Sequence, residues 1–269
     1  MGTRTTSTQA AFTLSAAFLA LVTACGSGPS PAPKPPAAGE ADVLVRVRAI
    51  SGTPSPQVRR ALPRLSLYGD GRAITPSGRT GALQTATVHR LTDERVREVY
   101  RDAYATARTA VETQDAVDGG VLELTVAAAD HTGTSRAEPE TTRLPLPADE
   151  STDFLARTDP ARWPDGAFAD APRRYEPTVL AVFAMPADKP GAESAAWPYD
   201  DPGSTGTPTP EGTCTVLSPD RTRAVQRLAR AATQETLWRA GGHTYRLDFR
   251  PLLPDEADCG DLDGPGAAE

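Results

Sequence analysis

Apolar and polar residues begin to alternate at Val43, where Val43, Val45 and Val47 are interleaved with Leu44, Arg46 and Arg48. That is the period-two pattern of a strand with one buried face. Leu65 to Ile74 reads as a hairpin, because Asp70-Gly71 supplies the positive φ angles of a tight turn between apolar flanks. From Thr92 the period lengthens to that of a helix. Thr92 suits an N-cap, Asp93 and Glu94 stand at the positive end of the helix dipole, and Leu91 can staple onto Val96. Val96, Val99, Tyr100, Ala103, Tyr104 and Ala107 form one stripe for the core, and the helix is expected to end between Val111 and Gln114, before Gly119-Gly120. Strands over 121–127 and 141–146 then pair antiparallel around a polar turn at 130–138.

Prolines break up the middle of the chain. Ser151 is placed to cap a short helix to Arg157, after which Pro160, Pro164, Gly166 and Pro172 forbid a longer one. Residues 179–185 are an uninterrupted apolar run, the mark of a strand buried on both faces, and 186–210 is a long Pro/Gly/Ser/Thr loop. A strand over 213–217 leads to a helix opened by Ser218-Pro219 and running to about Thr233, with Val225, Leu228, Ala229 and Ala232 inward. A hairpin turning on Gly241-Gly242 follows, with Tyr245, Leu247 and Phe249 on one face, and residues 251–259 lie back across the domain. These elements make an α+β domain over 43–269, an antiparallel sheet with two main helices packed on one face. The segments at Thr87 and at Cys214 share the order strand, capped helix, hairpin. Two related halves, 43–147 and 177–259, and a single unrepeated unit are therefore both open readings.

Before the domain, a short basic end with Arg4 precedes an apolar run from Ala10 to Val22. That is the make-up of an export signal, and it is too short for a permanent membrane span. Val22-Thr23-Ala24-Cys25 resembles the lipobox of bacterial lipoproteins. The resemblance implies a signal peptide over 1–24, a diacylglyceryl anchor on Cys25, and a protein held on the outer, extracytoplasmic face of the cell membrane. The competing readings are a plain secretory signal followed by a chance cysteine, or a short buried helix. Residues 25–42 would then be a lipidated, Pro-rich tether, reaching about 50 Å as polyproline II. Leu67–Arg72, Asp159–Trp163 and Phe249–Glu256 together resemble a family of uncharacterised actinobacterial secreted lipoproteins, a likeness that implies a fold and an address but no activity.

With Cys25 taken by lipid, Cys214 and Cys259 remain in an oxidising compartment and are expected to form a disulfide. Two free thiols are the alternative; a metal pair lacks nearby ligands. The formal net charge of −7, with no run of Lys or Arg, excludes a nucleic-acid partner. The chain contains no nucleophile elbow, zinc motif, P-loop or dinucleotide fingerprint, so no catalytic residue, metal ligand or cofactor is assigned. His89, His131 and His243 read as surface or turn residues, and the acidic tail from Asp255 to Asp263 reads as solvated charge. Arg46, Arg48, Arg59, Arg60 and Arg64 are either a basic patch for an anionic wall polymer or, more simply, exposed strand faces.

Loop aromatics remain. Trp163, and Trp197 with Tyr199, Asp200 and Asp201, combine flat apolar faces with carboxylates on irregular chain, a composition suited to a sugar or peptide surface, although such tryptophans more often plug a core edge. The expected function is therefore a lipid-anchored binding or interaction module at the cell envelope, its partner an envelope polymer or protein. The alternative is an envelope hydrolase using carboxylates such as Asp200 or Asp201.

Overall fold

β1 (Val43–Ile50) forms where the alternation places it, but both of its faces are covered, since Leu44 and Arg48 are buried along with Val45 and Val47. This is seen in a computed structural model that describes residues 2, 33–50, 60–109, 120–128, 139–146, 148–187 and 194–262. Every element below belongs to the unit Pro33–Glu269. Cys25, Arg59, His131, Asp263, the expected helix end at 111–114 and the expected turn at 130–138 lie outside the described residues.

The sheet continues with β2 (Leu65–Tyr68), β3 (Arg72–Thr80), β4 (Leu83–Arg90), β5 (Gly120–Val126), β6 (Glu140–Leu146) and β7 (Arg173–Arg174). It is completed by β8 (Leu180–Pro186), β9 (Ser194–Ala196), β10 (Thr207–Thr209), β11 (Gly212–Val216), β12 (Leu237–Ala240) and β13 (His243–Pro251). Among the described residues these strands form one 13-stranded sheet whose main path runs β10-β11-β8-β13-β4-β3-β2-β1-β5-β6. β13 lies parallel to β4, and β9 lies parallel to β12. Four short helices accompany it: α1 (Asp93–Thr109), α2 (Asp149–Arg157), α3 (Pro202–Thr205) and α4 (Pro219–Ala231).

This corrects the expected α+β fold with an antiparallel sheet and two main helices. The sheet is mixed and dominates the molecule, and the consecutive β1–β4 meander on one side has no counterpart in β10-β11-β8-β13 on the other. The reading from sequence falls short for two physical reasons. β4 is rich in Thr and Gln and carries little apolar alternation, and β7, β9 and β10 are two or three residues long, recruited from Pro-rich segments as edge pairs. Ser151 does cap α2, but from inside the helix and not from the N-cap position, which Ala148 holds. It sits at the third position of α2, where its hydroxyl accepts from the Ala148 N–H and donates to the Pro145 carbonyl.

One apolar core packs Val99, Tyr100 and Ala103 of α1 against β1, β2 and β5, with Ala38 at its edge. A second packs Val225 and Ala229 of α4 against Trp197, Trp238, Leu247 and Phe249. The β3–β4 turn ties the two together. Gly81 has φ +63° and lies against the carbonyls of Ala229, Arg230 and Ala232 at the end of α4, and the Ala82 N–H donates to the Ala229 carbonyl at 2.8 Å. A side chain at Gly81 would meet that backbone, so the close approach and the left-handed φ both require glycine.

Residues 250–262 form a strap held by buried charge. Arg250 and Glu256 make a two-pronged ion pair at 2.7 and 2.8 Å with both side chains fully buried, and Glu256 also accepts from the Leu253 N–H. Asp255 accepts from Arg46 and from the Tyr68 hydroxyl at 2.7 Å. Burial is the strongest single influence on Arg46 and opposes its charge, but Asp255, Tyr68 and Glu256 together outweigh it and raise that guanidinium; burial and Asp255 hold the Tyr68 phenol well above its usual range. Arg48 is lowered, by burial first and then by the neighbouring Arg46 and Arg250. Asp255 and Glu256 are therefore not solvated charge, and Arg46 and Arg48 are not an exposed strand face, because strap and strand have folded onto each other; Arg60 pairs instead with Glu211, and Arg64 stays exposed. Asp258 and Asp261 accept from local backbone N–H groups.

The Cys214–Cys259 disulfide fastens the strap to β11. Reducing it should lower unfolding free energy in urea by up to about 4 kcal/mol, less whatever structure the unfolded chain keeps. Glu256→Gln, which leaves Arg250 buried and unpaired, should lower it by about 3–5 kcal/mol, and a loss under about 1 kcal/mol would show that the pair is not what holds the strap.

Candidate functional site

Directly opposed residues in antiparallel strands share a face, and Thr75 stands opposite Thr87 while Ala73 stands opposite His89. With the period of two, Thr85, Thr87 and His89 therefore line one side of β4, and β7 adds Arg174 opposite Thr87 on the same side. The other side of this hairpin, Ile74, Ala86 and Val88, packs with Tyr68 and with Leu253 of the strap.

A roof covers part of the polar side. It runs from the end of α2 through two 3-10 turns, Pro160–Arg162 and Asp165–Ala167. Asp159 opens the first turn by accepting from the Ala161 N–H at 3.0 Å. Trp163 is the anchor: its indole N–H donates to the Arg157 carbonyl at 2.7 Å, and the Arg95 guanidinium lies over its ring at 4.3 Å. Phe168 bridges Trp163 and His89, with ring centroids 6.0 and 5.7 Å away. The Thr92 N–H donates to Ala167 and the Ala169 N–H to Arg90, which sews the roof to the end of β4.

Between floor and roof lies an open cleft of about 580 Å³, within the range of roughly 300–1,000 Å³ common for small-ligand sites. Thr75, Thr87 and His89 form its floor, Trp163, Phe168, Pro76, Pro160 and Pro172 its walls, and Arg64, Asp159 and Asp165 add charged groups. His89 Nε2 lies 3.1 Å from Thr75 Oγ1, while its Nδ1 is buried without a partner. A hydrogen on Nδ1 would be an unmet buried donor, so the favoured tautomer carries its hydrogen on Nε2 and donates to Thr75. The Thr75 hydroxyl is then free to donate into the cleft. Burial pushes the His89 pKa down, which keeps the ring neutral.

The aromatic residues singled out in the sequence are separated. Trp163 lines the cleft, whereas Trp197 is buried in the second core against Trp238 and Phe249, its indole donating to the Asp200 carbonyl. Tyr199 packs on Trp197, and Asp200 pairs with Arg221 at 3.2 Å on the surface. Asp201 caps α3 through the Gly203 N–H at 3.0 Å. Burial and a hydrogen bond to Asp201 push the Tyr245 phenol up to about 12. Both carboxylates offered for hydrolysis thus have structural partners. The floor residues Thr75 and Thr87 carry no signal in the sequence beyond the alternation Thr85, Thr87, His89.

No group of three or more His, Cys, Asp or Glu side chains stands together for a metal among the described residues, and no helix among them is long and apolar enough to cross a membrane. The chain matches no protein-family model, no curated protein and no solved structure.

Because the folded state lowers the His89 pKa, the unfolded chain binds more protons just below the ordinary value of about 6.5. Stability should therefore be complete above that pH and fall as pH drops from about 6.5 towards the depressed value. In thermal melts at closely spaced pH, His89→Phe should flatten this segment of the curve; an unchanged slope would place the effect elsewhere.

Proposed function

We propose that the protein is a lipid-anchored, extracytoplasmic binding module of the cell envelope, and that its ligand site is the cleft roofed by Trp163. The observation that carries this reading is a cleft of ligand size in which three polar side chains have no partner among the described residues. Thr87, Arg64 and Asp165 line it, and none makes a side-chain hydrogen bond or ion pair with the described residues. The disulfide supports an oxidising compartment, and the lipobox resemblance supplies the anchor at Cys25. Ala38 already packs on the first core, and the Gly69 N–H donates to the Asp42 carbonyl. The end of the tether read over 25–42 is thus taken up by the domain at Ala38 and Asp42. The partner is an envelope polymer or protein.

Two measurements test the reading. Mass spectrometry of the natively expressed protein should find Cys25 diacylated at a new amino terminus; an intact leader with a bare thiol sinks the anchor. Isolated envelope material should co-sediment with the wild type and at least about tenfold less with Thr87→Trp, which fills the cleft. Equal co-sedimentation by a folded Thr87→Trp protein removes the cleft from the account.

A further inference from the structure

The position of charge within the cleft narrows the ligand class. Its formal charges, on Arg64, Asp159 and Asp165, stand on residues that are exposed or half-buried, and Asp159 lies 3.7 Å from Arg162. Exposed charges of both signs, screened by water, contribute little to holding an ion. The floor is different. It offers the half-buried hydroxyls of Thr75 and Thr87 and an uncharged His89, set between the apolar edges of Trp163, Phe168 and three prolines. A purely apolar ligand would strip water from those hydroxyls and give nothing back, at a cost of about 1–3 kcal/mol each. An anion or cation pressed on the floor would lose its own hydration for little return, since Arg174, the charge nearest Thr87 on that side, is exposed and turned to the Thr80 hydroxyl at 3.5 Å. What fits is a molecule that is neutral where it is buried, carries several hydroxyls that both donate and accept, and has apolar ring faces to lay against aromatic and proline edges.

We infer that the cleft binds neutral sugar rings, of the kind found in an envelope glycan. The inference rests on the binding-module reading given above and names its ligand. Thr75 donates its hydroxyl to a sugar oxygen because His89 occupies its acceptor side. Thr87 accepts or donates without restraint, and the exposed carboxylate of Asp165 accepts from hydroxyls further out. The open mouth lets the rings belong to a longer polymer.

Isothermal titration of the full-length protein in detergent, against neutral di- and tetrasaccharides built from glucose, galactose, mannose, arabinose or N-acetylglucosamine, tests this. At least one series should bind saturably, with Thr87→Val weakening it about tenfold or more. Thr87→Ser, which keeps the hydroxyl, should stay within about threefold of the wild type and guards against a folding artefact. Asp200→Asn, on the surface away from the cleft, should leave binding unchanged. Absence of binding by the whole panel at millimolar sugar, or binding indifferent to Thr87→Val, overturns the sugar assignment. If envelope material still co-sediments in a cleft-dependent way, only the ligand class is wrong; if it does not, the binding-module reading falls with it.

Discussion

The fully buried pair between Arg250 and Glu256 is the constraint from which the rest of the structure follows. Two charges removed from water are tolerable only when each is met closely and its remaining hydrogen-bonding capacity is filled. Here Glu256 takes both guanidinium prongs and the Leu253 N–H, and Arg250 also reaches the Pro251 carbonyl. Such a site has one acceptable geometry, so residues 250–262 are locked in one register against the sheet. Asp255 then lands on Arg46 and Tyr68, and Leu253 lands on the β3–β4 hairpin. The disulfide acts on the same strap through a different quantity. It shortens the loop available to the unfolded chain, while the ion pair decides where the strap sits when folded.

This fixes the cleft as well, because strap and cleft are opposite faces of one hairpin. A slip of one residue in β4 would carry Ala86 and Val88 to the cleft and Thr87 and His89 to the strap, exposing apolar surface on one side and burying hydroxyls on the other. The strap holds the register by covering Ile74, Ala86 and Val88. The register shift between Pro76 and Gly78 in β3 lets the hairpin go on pairing to the Gly81 turn, where it docks on α4. The cleft face is thus defined by contacts made on the far side of the sheet.

What could be read from the sequence was whatever is local. The helical stripe at Val99, Tyr100 and Ala103, the apolar run of β8, the glycine turns at Asp70-Gly71 and Gly241-Gly242 and the cysteine pairing are all signals contained within a few residues, or in a count of three cysteines. What could not be read depends on partners far along the chain. Arg46 looks like the solvent side of a strand until Asp255 arrives from 209 residues away. β4 shows strand character only around Thr87 until β3 and β13 flank its whole length. Trp163 and Trp197 have the same sequence character, each beside proline and aspartate, and only packing distinguishes them. Trp197 meets three further aromatic rings of its own core, whereas Trp163 has its indole N–H tied back to Arg157 and its ring edge on a cleft.

The contrast in polar satisfaction between the two faces of the hairpin is what separates scaffold from site. On the strap side and along β13, ionic groups find partners: Asp248 meets both Arg79 and Gln84, and Asp255 meets Arg46 and Tyr68. On the roofed side Thr87, Arg64 and Asp165 have none among the described residues. Arg64 and Asp165 are exposed and Thr87 is half-buried at an open cleft, so water serves these groups in the free protein. The proline- and tryptophan-stiffened roof leaves that space open, and a molecule entering it can exchange the water for hydrogen bonds of its own. Binding free energy at this cleft would therefore come from polar groups that folding leaves unmatched, with the roof preorganised so that little ordering remains to be done when the ligand enters.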